Sequence, residues 1–211
     1  MTTGSSSHTG PAHKLVEAGV TLLIALFGVI VIVGSVKAGI NWGAEGPRAG
    51  FFPGSTIGNF EPHQACSFLR HAGRMLGRGA TLIIGVDLVK DASILNAAYD
   101  DAAGVTAKFN LNLLTRINRE LDGHFDLDSF SHHAFYNSER HRIEMHLASK
   151  KRQKVRVAGR QIEFRAGETI HTENSYKYSA EGFGALAAGA GFRSAQRWTD
   201  RQGLFALFGL N

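Results

Sequence analysis

From Leu15 to Val36 the chain reads LVEAGVTLLIALFGVIVIVGSV, 22 residues in which Glu17 is the only charged side chain. At about 1.5 Å of rise per residue, a helix of that length spans roughly 30 Å, the thickness of a bilayer's hydrocarbon core. The run predicts one transmembrane helix over residues 14–40, with the membrane contact at 15–36 and Trp42 placed for the interface. Two alternatives stand beside it. A cleaved leader has a shorter apolar core, although Gly34 to Ala38 is not wholly unlike a cleavage site. A buried core helix would normally carry a polar face, and Val20 to Val36 has no charge. Lys14 on one side and Lys37 with Arg48 on the other leave the orientation open.

Before this run, residues 1–13 are rich in Ser, Thr and Gly and read as a flexible tail. After it, residues 41–53 are rich in Gly and Pro and form a candidate junction, and no second run long enough to span a bilayer follows. The remainder must bury its own core, for which an apolar content of 44% is sufficient. The net charge of +5 sits in short clusters such as Lys150-Lys151-Arg152, with no interleaved aromatics, so no nucleic-acid partner is expected. A lone Cys66 excludes an internal disulfide and suits a reducing compartment. The expected location is a single-pass membrane protein with a cytoplasmic soluble part; without the span it is cytoplasmic.

The soluble part opens on Phe51 to Pro62, FFPGSTIGNFEP. Gly54 and Gly58 permit close backbone approach, while Ser55, Thr56 and Asn59 supply short polar side chains at the exit of a strand. Either this loop holds a small polar ligand or it is an ordinary turn leading into a helix at Glu61-Pro62. Gln64 to Leu76 has apolar residues at helical spacing, and Ala80 to Leu88 reads as a buried parallel strand. Ala92 to Tyr99 and Val105 to Leu121 read as helices; Phe135 to Ala148 and Lys154 to Phe164 alternate as a hairpin-rich insertion. Glu181 to Ala190 is a small-residue helix, and Phe192 to Thr199 and Leu204 to Leu210 are strands. The pattern is α/β with an antiparallel end.

A second polar cluster, AGETIHTENSYKY over 166–178, holds Glu168, His171, Thr172, Glu173, Asn174, Ser175 and Lys177. It reads as a helix start, with Asn174 or Ser179 capping the segment around Glu181, or as ligand-binding. Ten histidines invite a metal assignment, but His132-His133 are adjacent, His141 and His146 lie five apart, and no HExxH or CxxC pattern occurs. No metal site is expected.

Taken in order, FPGSTIGNFEP, IGVDLVKD, AAYDDAAGVTAKFNLNLL, FYNSERHRIEMHLAS and FRAGETIHTENSYKY resemble the L-histidine Nα-methyltransferases of ergothioneine biosynthesis, from Phe51 to near the end of the chain. The apolar run followed by GPRAGFFPG resembles the start of the small membrane subunit of tripartite tricarboxylate transporters. The shared FFPG marks a junction between the two, as a gene fusion, a recombination or an assembly artefact would all produce. The first resemblance implies an α/β fold: the C-terminal part of a Rossmann-like methyltransferase sheet with an inserted α+β substrate-binding subdomain over residues 54–211, here preceded by one transmembrane helix. It implies S-adenosylmethionine as cofactor and L-histidine as substrate. Asn59 and Tyr99 would hold the carboxylate and amine end, Glu173 and Ser175 the imidazole, and Gly54 and Met145 would line the pocket. No cofactor-binding residue carries over, because no Gly-rich turn after a strand precedes Phe51. The expectation is therefore an enzyme truncated of its cofactor-binding half and crippled by the loss. The alternative is a single-pass membrane protein related at its N-terminus to the transporter subunit, with a non-catalytic soluble part.

Overall fold

The computed structural model describes residues 50–52 and 55–211. The tail at 1–13, the span expected at 14–40, most of the junction and Gly54 lie outside the described residues. Among those described, no helix is long and apolar enough to cross a membrane.

Strand β1 (Gly50–Phe52) runs parallel to β2 (Leu82–Asp87), with Gly50 opposite Leu82 and Phe52 opposite Ile84. Between them a single 3-10 turn (Thr56–Asn59) leads into helix α1 (Pro62–Leu76). Proline suits the first helical position because its missing N–H would have no partner there, and Gln64 reaches back to accept from the Glu61 amide at 3.0 Å. The helix stops at Gly77, whose φ of 80° suits glycine. Strand β2 is buried at Leu82, Ile84, Gly85 and Val86, as a strand covered on both faces should be. Its partnership is mixed: parallel to β1, antiparallel to β9 (Phe205–Leu210), beyond which lies antiparallel β8 (Ser194–Thr199). Helix α1 packs with α4 (Ala180–Gly189), and Ile57, Leu69, Ile84, Phe183 and Phe208 form a wholly apolar core.

Helices α2 (Ala92–Tyr99) and α3 (Val105–Glu120) lead to a second, antiparallel sheet in the order β3 (Phe130–Asn137), β4 (Arg142–Ser149), β7 (Thr169–Tyr176). The alternating stretch read as starting at Phe135 is thus two strands, the first beginning at Phe130. A hairpin, β5 (Gln153–Val157) and β6 (Arg160–Phe164), turns through Ala158 and Gly159, both at positive φ as a two-residue turn between twisted strands requires. Ile143, Met145 and Leu147 point to the helix side of β4, towards Leu95 and Leu114.

The helix-start reading of residues 166–178 is overturned in part. Thr169 to Tyr176 is strand β7, because its alternating side chains and β-branched residues find a partner in β4, and Asn174 caps nothing. Ser179 does cap α4, its Oγ accepting from the Gly182 amide at 2.9 Å.

Candidate active site

The two sheets meet where β2 and β7 end. Leu88 and Tyr178 form an isolated parallel bridge, with Tyr178 N donating to Asp87 O and Val89 N to Tyr178 O, both at 3.0 Å. This bridge carries Lys177 against Asp87. The lysine side chain is fully buried, with Nζ 2.9 Å from Asp87 Oδ2, 2.7 Å from Ser175 Oγ and 3.0 Å from Tyr99 Oη. An ammonium has three protons, and three oxygens take them. Nζ also lies 4.7 Å from the centre of the Tyr99 ring.

Tyr99 Oη and Ser175 Oγ are 2.8 Å apart. Each accepts from Lys177, and one donates to the other, so a single hydroxyl proton is left over for a ligand. Glu173 stands two residues before Ser175 on the same face of β7, opposite Met145 in register. Its half-buried carboxylate makes no hydrogen bond with the described residues. Burial pushes its pKa up, against the opposing pull of Lys177. A desolvated carboxylate without a partner is costly in a finished core, and it is what a site waiting for a donor looks like.

Asn59 arrives from the other side. It closes the 3-10 turn, which packs on β7 because Gly58 lacks a side chain: a Cβ there would lie 2.7 Å from the Tyr176 carbonyl oxygen. The Asn59 carboxamide is also without a partner among the described residues. Of the expected site residues, then, Tyr99 and Ser175 touch, Met145 and Glu173 pair across strands, and Asn59 approaches the same strand. Gly54 is outside the described residues. The sequence places Lys177 in the second polar cluster without a role and does not single out Asp87; reading 173, 175 and 177 as alternate positions of one strand puts the lysine on the Glu173 face.

The opposite face of the same sheet is also polar. Arg142, 6% exposed in its side chain, bonds Glu61, Glu144 and Tyr176 at 2.7–3.0 Å. His146 stacks on His171 with ring centres 4.5 Å apart. Its pKa falls to about 4, chiefly through burial and then through repulsion from His171, so the ring is neutral at neutral pH. A separate open cavity of about 430 Å³, lined by Arg70, Arg74, Arg78, Phe192 and Asn211, lies at the amino end of β2, away from these groups.

A family model described as "Histidine-specific methyltransferase, SAM-dependent" matches residues 28–211. The match starts further towards the amino terminus than Phe51, inside the apolar run. The chain is 49% identical over 164 residues to a histidine N-alpha-methyltransferase of Mycolicibacterium smegmatis, covering 77% of this chain and 51% of that one. It is 46% identical over 169 residues to the protein of the same name from Mycobacterium tuberculosis, covering 77% and 53%. It therefore spans about half the length of the curated relatives it matches. Among solved structures it is similar to the CcbJ methyltransferase of Streptomyces caelestis, at a TM-score of 0.40 and 12% identity, over 82% of this chain and 60% of that one.

Proposed function

The chain belongs to the family of histidine-specific, SAM-dependent methyltransferases, and on that premise we propose that its described part is the substrate-holding side of an enzyme that methylates the α-amine of L-histidine. The observation that carries this reading is the unpartnered Glu173 carboxylate beside the one spare hydroxyl proton of the Tyr99–Ser175–Lys177 group. A neutral imidazole offers one N–H and one lone pair. Glu173 accepts the N–H; Ser175, receiving the Tyr99 proton, donates its own to the other ring nitrogen. An amino acid without that donor leaves the carboxylate unsatisfied, which is a strong basis for discrimination.

Tyr99, with its proton committed to Ser175, keeps oxygen lone-pair capacity for an amine N–H, and the Asn59 carboxamide can donate to the carboxylate. Met145 lines the ring. Gly54 would line the pocket as the resemblance implies. Neither Asn59 nor Tyr99 carries a negative charge that would favour the protonated amine, so the nucleophile's lone pair stays available. The binding groups orient it, and orientation is most of what methyl transfer asks of the protein.

The family's cofactor supplies an electrophilic sulfonium methyl when bound. At the carboxyl end of β2, Asp87 accepts from Lys90 on Oδ1 and from Lys177 on Oδ2, and each oxygen keeps one further lone-pair site. The groups that the described residues assemble are those for the substrate, and slow turnover by this part alone is a component of the proposal. Calorimetric titration of the full chain with L-histidine tests it. Saturable binding is expected, absent with L-alanine and weakened in Glu173→Gln; equal affinity of that variant would remove Glu173 from the site.

A further inference from the structure

The back of the three-stranded sheet carries a second constellation, independent of the substrate reading. Glu144 and His146 alternate on β4, and His171 lies on β7. One ligating atom from each lies within 4.8 Å of the others. This grouping depends on a bulge. Met145 pairs with Glu173, but the next residue, His146, pairs with His171, so Thr172 is the extra residue. In regular pairing His146 would face Thr172, and His171 would point to the helix side. The bulge turns His171 to the face of His146, and the Thr172 hydroxyl fixes it by donating to Met145 O at 3.0 Å.

Glu144 and His171 are each held through one atom, Glu144 Oε2 and His146 Nε2 face each other, and His146 keeps its other ring nitrogen without a partner. Glu144 Oε1 accepts from Arg142 Nε at 2.9 Å and Asn137 Nδ2 at 3.0 Å, while Oε2 faces His146 Nε2 at 3.4 Å. His171 Nε2 lies 3.2 Å from the Glu173 carbonyl oxygen, a contact that places the proton on Nε2 and the lone pair on Nδ1. His146 Nδ1 is buried without any hydrogen-bond partner. Carboxylates and imidazoles oriented by outer hydrogen bonds are the usual surroundings of a metal ion.

We propose that Glu144, His146 and His171 bind one divalent transition-metal ion of the zinc class. Two imidazoles and a carboxylate suit that class, whereas magnesium and calcium prefer all-oxygen sets. Tetrahedral ligands at about 2.0–2.1 Å stand about 3.4 Å apart, so closure requires roughly an ångström of approach together with rotation of the two stacked imidazoles until their lone pairs converge. Three protein ligands leave a position for water. The ion would pin β4 to β7 at the bulge, back to back with Met145 and Glu173.

The test uses the full chain without a histidine tag, stripped with chelator and titrated with cobalt(II) chloride in the absence of any amino acid. Visible d–d absorption should saturate at one ion per chain and collapse when zinc is added. His171→Ala should bind at least about tenfold more weakly with an unchanged circular dichroism spectrum. In the unmodified chain, zinc should shift the ring resonances of His146 and His171 and leave those of exposed His63 and His71 in place. No saturable absorption, full affinity in the variant, or ring shifts confined to other histidines would each overturn the proposal. Should His171→Ala misfold, the ring shifts in the unmodified chain decide alone. None of these readouts depends on histidine binding or methyl transfer, so failure here leaves the proposed function standing, and the reverse.

Discussion

The two sheets of this molecule bury different things. The core around β2 and β9 is apolar throughout, with Ile84, Val86, Phe183 and Phe208 among its members. The three-stranded sheet and the helix beside it bury Asn110, Arg142, Glu144, Thr172, Ser175 and Lys177. Apolar packing is non-directional and tolerates many side chains of suitable volume; a buried polar network works only when every member has its partner. One sheet is therefore a platform and the other an instrument. Among the groups left unpartnered, Glu173, Asn59 and His146 Nδ1 stand on the instrument side or lean on it.

Substitutions that treat the two sheets alike should have unlike effects. Lys177→Met removes one member of a buried pair and takes away the donor that Asp87, Ser175 and Tyr99 share; a loss of about 3–5 kcal/mol in denaturant unfolding is expected. A loss near zero would erase the distinction drawn between the sheets. Glu173→Gln should leave unfolding almost unchanged yet weaken L-histidine binding by about 1.5–3 kcal/mol, read by calorimetry, because its carboxylate awaits a ligand and supports no fold contact. Ile84→Val, in the platform, should cost only about 0.5–1.5 kcal/mol and leave histidine affinity intact.

The smallest effect belongs to an exposed polar group. The Asp101 carboxyl is held down to about 2 by hydrogen bonds from Thr106 and from the Val105 amide at the start of α3. Its folded value lies below the unfolded value of about 3.9, so its contribution is full above the latter and is lost as pH falls through about 2. Protection of the Val105 and Thr106 amides, taken relative to their intrinsic exchange rate at each pH, should fall over that interval, and Asp101→Asn should abolish the fall.

Much of the platform was legible before the coordinates. Periodicity located α1 to α4 and most strands, because helical and alternating patterns are local properties. The pairing of β2 with β9 was not, since strands more than a hundred residues apart carry no local mark of their partnership. The candidate substrate residues came from resemblance, while residues alone left 166–178 open between a helix cap and a ligand site. The metal constellation escaped altogether. Spacing rules test residues on one element, and His146 with His171 meet only through a bulge that no local pattern announces.

The Leu88–Tyr178 bridge, finally, governs when the site can exist during folding. It joins segments ninety residues apart, and the lysine that organises Tyr99 and Ser175 reaches Asp87 only once it has formed. Closing so long a loop is entropically expensive and comes late relative to local helices and hairpins. The β3–β4 hairpin and helix α3 can settle early, but the Lys177–Asp87 contact waits for a long-range closure. On the proposed function, ligand binding during refolding would accordingly time the closure of this bridge.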